Sequence, residues 1–155
     1  MAWSASKIFS ATITDVMNNT TALDGNADTF TAALFDNTIT PDQTVTSANT
    51  AYGAGVWASG EVSDTTHWPA GGEDLASVSS DFSSNVYTFD AADTASTDSS
   101  ATLASVYGCL VYDNSLTTPV ADQGLCYNYF GGSNSVTSGS FTIVWNGSGI
   151  LTLTL

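Results

Sequence analysis

The sequence predicts one mainly β domain, an antiparallel β-sandwich or jelly-roll-like fold with room for a single N-terminal helix. Three observations carry this reading. Segments rich in β-branched and aromatic residues recur along the chain, separated by clusters of Gly, Asn, Asp and Ser that turn the backbone. A length of 155 residues suits one self-sufficient core and leaves little space for two. The composition is 43% hydrophobic, with 4 Trp, 6 Tyr and 7 Phe, which is more apolar surface than a disordered chain offers.

In chain order, residues 1–20 read as a helix or an arm. Phe9, Ile13, Val16 and Met17 fall at helical spacing between Ser4 and Asn18, and Ser4 or Ser6 can cap the start. The β-branched run Thr12-Ile13-Thr14 pulls the same segment toward strand. Strands are expected at Thr29–Phe35, Gly55–Val62, Leu75–Ser79, Asn85–Phe89, Thr102–Tyr112, Leu125–Phe130, Phe141–Trp145 and Ile150–Leu155. Residues 37–54 and 64–74 read as loops, 90–100 as a polar connector, and Gly71-Gly72 and Gly131-Gly132 as turns. No repeat of fixed period and no linker-like bias divides the chain, so 1–155 is read as one domain.

Charge narrows the partners. Fifteen acidic residues stand against one basic residue, Lys7, for a formal net charge of -14. A phosphate backbone is bound by clustered Lys and Arg, so nucleic acid is excluded as an expected partner. Anionic membrane surfaces fall to the same argument, and no apolar run approaches the roughly 20 residues of a membrane-spanning helix. The N-terminus lacks a basic region followed by an apolar stretch, so synthesis in a cytoplasm is the expectation.

A search for chemistry returns little. His67 is the only histidine and sits in Thr65-Thr66-His67-Trp68-Pro69, which reads as a solvent-exposed loop without a nucleophile motif. Glu61, Glu73 and the many Asp can in principle supply paired carboxylates for glycoside hydrolysis, but most of the Asp sit where the backbone turns. Asp24-Gly25-Asn26-Ala27-Asp28 alternates oxygen side chains like a calcium loop. An EF-hand, however, needs Gly where Thr29 stands and Glu where Phe35 stands, so an Asx-rich turn is expected. Cys109 and Cys126 are too few for a structural zinc site and read as core residues on neighbouring strands. No cofactor or metal is expected, and no catalytic residue is assigned.

The charge distribution is more telling than its total. After Asp122 the chain carries no Asp, Glu, Lys, Arg or His. Either the terminal strands are covered inside the sandwich, or a neighbouring subunit covers them, because uncharged exposed edges invite association. Residues 135–155 read as a C-terminal β-hairpin. Phe141, Ile143 and Trp145, with Leu151, Leu153 and Leu155, give each strand one apolar face. Parity favours a three-residue loop, Asn146-Gly147-Ser148, which pairs Ile143 with Leu151 and Phe141 with Leu153 and places Gly147 or Ser148 in the left-handed position. The outward residues Thr142, Val144, Thr152 and Thr154 then form the candidate assembly interface.

Several stretches carry a family resemblance. They are Trp57-Ala58-Ser59-Gly60-Glu61-Val62, Pro69-Ala70-Gly71-Gly72-Glu73-Asp74-Leu75, Tyr107-Gly108-Cys109-Leu110-Val111-Tyr112-Asp113, Asn128-Tyr129-Phe130-Gly131-Gly132 and the run from Ser135 to Ile143. In this order they resemble small virion proteins of tailed bacteriophages, the capsid decoration and minor structural proteins. The resemblance implies a non-enzymatic role on the outside of a phage head, made in the host cytoplasm. It further implies the major capsid protein as partner and a homo-oligomer, a trimer at three-fold positions, that bridges capsid subunits. An acidic, Ser/Thr-rich chain suits the outer face of a shell better than a DNA-facing lumen. The alternative is a receptor- or glycan-binding module of a tail or head fibre, with Trp57, Trp68, Tyr127 and Tyr129 as stacking platforms unless they are core.

Overall fold

The computed structural model describes residues 3–155. Its elements are β1 (Lys7–Ile8), α1 (Ser10–Met17), β2 (Phe30–Phe35), α2 (Ser47–Thr50), a 3-10 turn (Gly55–Ala58), β3 (Glu61–Val62), β4 (Glu73–Asp74), β5 (Ser79–Ser83), β6 (Val86–Asp90), β7 (Thr94–Ala95), β8 (Ala101–Asp113), β9 (Gly124–Gly139), β10 (Thr142–Ile143) and β11 (Leu151–Thr154). The fold is mainly β and antiparallel, as the sequence predicts. A six-stranded sheet runs β1-β9-β8-β2-β3, with β4 also paired to β2. A two-stranded sheet (β10-β7) and a three-stranded sheet (β11-β6-β5) complete the structure.

Strand β2 shows why the large sheet is covered on both faces. All six of its residues are buried, because β8 pairs along one edge while β3 and β4 share the other. Successive side chains alternate faces, so Phe30, Ala32 and Leu34 enter one cluster and Ala33 and Phe35 the other. β8 splits in the same way, with Cys109 and Val111 on the first face and Leu110 and Tyr112 on the second. The first cluster meets Phe89 of β6, Ile143 of β10 and Leu151 of β11, which makes a sandwich with the smaller sheets. The second cluster is roofed by irregular chain, from which Trp3, Phe9, Ile39 and Trp57 descend.

Several expectations are corrected. The helix starts at Ser10, not Ser4, because Lys7 and Ile8 pair with Tyr127 and Cys126 as a strand. Ser6 does not cap it; its Oγ accepts the Tyr129 N–H at 3.0 Å. Of the expected helix face only Phe9 is deeply buried, and Val16 and Met17 are exposed. The core-facing residue of α1 is Thr12, whose hydroxyl donates to the Gly124 carbonyl. The expected Gly55–Val62 strand is a 3-10 turn that drops Trp57 beside Phe35, followed by the short β3. The Leu75–Ser79 strand is displaced: Glu73–Asp74 pair with β2, the chain turns at Ser77, which adopts a positive φ of 54°, and β5 starts at Ser79. Gly71-Gly72 do turn the chain, and a Cβ on Gly72 would lie 2.1 Å from the Ala32 carbonyl oxygen. Gly131-Gly132 do not; β9 continues through them to Gly139, bulging between its Tyr129–Gly108 and Asn134–Val106 pairs.

The largest correction is at the C-terminus, where no hairpin forms. Ile143 pairs with Thr94 and Leu151 with Phe89, so β10 and β11 belong to different sheets. The 91–98 connector captures β10. Ser96 Oγ accepts the Phe141 N–H, Asp93 accepts the Trp145 N–H, and the Trp145 indole donates to Thr94 Oγ1 at 3.1 Å. A turn closed by Gly149 N–H to Asn146 O then delivers Ile150 to the Phe89 carbonyl. The left-handed residue of that turn is Gly149 (φ 104°), neither Gly147 nor Ser148. Parity between two segments could not reveal that each had a better partner elsewhere.

Candidate assembly surface

Residues from the uncharged stretch after Asp122 gather around one groove. Strand β9 leaves β8 on one flank, and on its other flank only the short β1 pairs with it, at Cys126 and Tyr127. From Asn128 to Gly139 no further strand among the described residues covers that edge, and the stretch holds no charged residue. Along the edge runs a groove of about 420 Å³, walled by Asn128, Tyr129, Phe130 and Asn134 on one side and by the Phe141–Asn146 stretch and Ile150 on the other. Among the described residues no carboxylate or cation lines it. A second hollow of about 380 Å³ shares Ser6, Asn128 and Ile150 with the first and extends it past Lys7, Leu151 and Thr152. Asp93 reaches the groove wall, where its carboxylate accepts the Trp145 N–H at 3.0 Å.

The four residues expected at an interface are all exposed, as their alternation requires. Thr142 and Val144 line the groove and Thr152 lines its extension, while Thr154 lies beside Val86 outside both. Val144 is 73% exposed, and Leu155 is 78% exposed where the sequence placed it on the apolar face. Leu153 is half-buried, so of the three alternating leucines only Leu151 enters the core. Asn128, Asn134, Trp145 and Asn146 were missed as groove residues. The signal available for them was the absence of charge after Asp122 together with aromatics at every few positions.

Of the four aromatic residues considered as stacking platforms, Trp57, Trp68 and Tyr127 are core. Tyr129 remains half-exposed on the groove wall, stacked against Trp3 at 6.4 Å. His67 is not a free loop residue. Its side chain is only 18% exposed, with Nδ1 3.0 Å from Asp64 and Nε2 3.4 Å from Asp98. The Asp64 carboxyl is held down to about 2, first by the Thr102 N–H at 2.8 Å and then by His67 and the Thr66 N–H. This arrangement ties the 64–68 turn to the start of β8, and the Asp64–Trp68 bridge closes the turn.

Cys109 and Cys126 lie on neighbouring strands, as expected, and are free thiols. Burial pushes Cys126 up to about 12 and Cys109 well above its ordinary value, so neither is poised as a nucleophile. The Asp24–Asp28 segment is the expected Asx-rich turn, with Asp24 Oδ1 accepting the Asn26 N–H at 2.9 Å. Among the described residues no three His, Cys, Asp or Glu side chains converge as a metal-holding group. No helix among them is long and apolar enough to cross a membrane. Compared with known proteins, the chain matches no family model, no curated protein and no solved structure.

Proposed function

We propose that the chain is a non-enzymatic virion structural protein. It binds the outer surface of a phage capsid as a decoration or minor capsid protein and bridges subunits of the major capsid protein. The observation that carries the reading is a side whose described lining holds no carboxylate, with Lys7 at its margin, on an otherwise strongly acidic molecule. All 15 acids precede Gln123, while the open β9 edge, the groove and the outward Thr142, Val144 and Thr152 all lie together without a carboxylate. Natural sheets guard exposed edges with charge, so an unguarded edge is suited to cover by another protein. The acidic remainder keeps the particle surface soluble and repels DNA, in keeping with an outer position and with a homo-oligomer such as a trimer joined through the neutral side. A cryo-EM map of purified particles tests this. Repeating density over the shell is expected, and particles devoid of the chain would defeat the proposal.

A second reading is a glycan-binding module of a fibre. It is favoured by the groove's own lining, since Tyr129 and Trp145 offer ring faces beside the amides of Asn128, Asn134 and Asn146. It predicts a few copies at a tail or fibre tip, and loss of saccharide binding on Trp145→Ala.

A further inference from the structure

The turn that follows β10 at the groove wall places an amide beside a bare backbone nitrogen. Of the chain's asparagines only Asn146 is followed by glycine; every other one precedes a residue that carries a Cβ. Asn146, Gly147 and Ser148 are exposed, and Asn146 lines the groove. The turn is fixed at two points. The Gly149 N–H donates to the Asn146 backbone carbonyl at 2.7 Å, and the Ser148 N–H donates to the Asn146 side-chain oxygen, Oδ1, at 2.9 Å. The Gly147 N–H between them donates to no group among the described residues.

The bond to Oδ1 bears on chemistry. It folds the Asn146 amide back over its own main chain, toward the Gly147 nitrogen, and so removes much of the freedom that separates two reacting groups. It also aims a backbone donor at the oxygen on which negative charge collects when the amide carbon, Cγ, is attacked. Gly147 has no side chain to screen its nitrogen. A Cβ built there would meet nothing within 4 Å, so the surrounding chain does not crowd the residue either.

We propose that Asn146 deamidates spontaneously and that the groove wall thereby acquires a carboxylate. The Gly147 nitrogen loses its proton to hydroxide and bonds to Cγ, and the Ser148 N–H holds the oxyanion that forms on Oδ1. The bond from Cγ to the amide nitrogen then breaks, ammonia leaves with a proton taken from water, and a succinimide ring remains. Water opens that ring at either carbonyl. Attack at Cγ gives aspartate, and attack at the backbone carbonyl gives isoaspartate, whose main chain runs through the former side chain. The net change is one water taken up and one ammonia released, and either product is ionised at neutral pH. Among the described residues no other carboxylate lines the groove, so the new charge falls on the surface that carries the proposed docking role. The chemistry itself stands independently of that role.

The test is ageing of the purified, folded chain at mildly alkaline pH, followed by peptide mapping with mass spectrometry. Asn146 should lose its amide ahead of every other asparagine, with aspartate and isoaspartate both present at that position and a matching release of ammonia. The loss should quicken as pH rises, because a deprotonated nitrogen is the attacking group. Gly147→Ala, for which the fold has room, should suppress it. An amide that stays intact in the folded chain and is lost only in urea overturns the proposal, since the fold would then protect the turn. Loss at Asn146 no faster than at the other asparagines, or at the wild-type rate in Gly147→Ala, overturns it as well.

Discussion

Ile143 lies opposite Thr94 in the two-stranded sheet, so the strand before the C-terminal turn is fastened to the 91–98 connector and not to the strand after it. The two terminal strands therefore contribute to stability separately. Leu151 is 7% exposed and packs in the first core cluster, while Leu155 is 78% exposed. Leu151→Ala should cost about 2–5 kcal/mol in denaturant unfolding, and Leu155→Ala no more than about 0.5 kcal/mol. Equal costs would mean that the C-terminal leucines share one face after all.

Backbone contact is equally specific at Gly72. Its φ is 100°, and a Cβ there would collide with the Ala32 carbonyl of the central strand. Gly72→Ala should destabilise by roughly 2 kcal/mol or more, since both strain and a clash with rigid backbone are introduced. Gly132→Ala, where an added Cβ meets nothing within 4 Å, should leave stability nearly unchanged.

The His67 clamp gives a pH signature. Asp64 is held below its ordinary 3.8, at about 2, so its contribution is fully present above pH 4 and is lost as pH falls toward 2. Asp64→Asn should therefore lie below the wild type in stability at pH 5, and the gap should close between about pH 4 and pH 2. His67→Ala should cost about 1 kcal/mol at pH 6 by removing the contacts to Asp64 and Asp98. A pH-independent gap for Asp64→Asn would show that the clamp does not act through the carboxylate.

Burial makes the thiols a folding reporter. Cys109 and Cys126 should resist an aromatic disulfide reagent in the native protein and react together on unfolding. Rapid reaction of either in the folded state would contradict its placement between the layers.

Strands buried on both faces were the most legible from sequence. Phe30–Phe35 and the Ala101–Asp113 strand read plainly, because a continuous apolar or β-branched run has few other uses. The two-residue strands β1, β4 and β7 did not, and β3 and β10 fell within expected strands whose partners were not foreseen, since their pairing is imposed by partners far away in the chain. The exposure of Thr142, Val144, Thr152 and Thr154 followed from local alternation and holds whichever strand lies alongside. The groove was not legible, because it depends on how β9 meets β10 and the turn that follows, which are remote from one another in pairing.

The central claim is that the neutral side meets the particle, and it is tested most directly by counting copies per particle for lysine variants. Thr152→Lys and Val144→Lys each place a charge on that side without entering the core, and Ser83→Lys adds the same charge on exposed β5. With all three folded by circular dichroism, Thr152→Lys and Val144→Lys should leave particles bare or sparsely coated while Ser83→Lys coats them at wild-type occupancy. Wild-type occupancy for both Thr152→Lys and Val144→Lys would contradict the account.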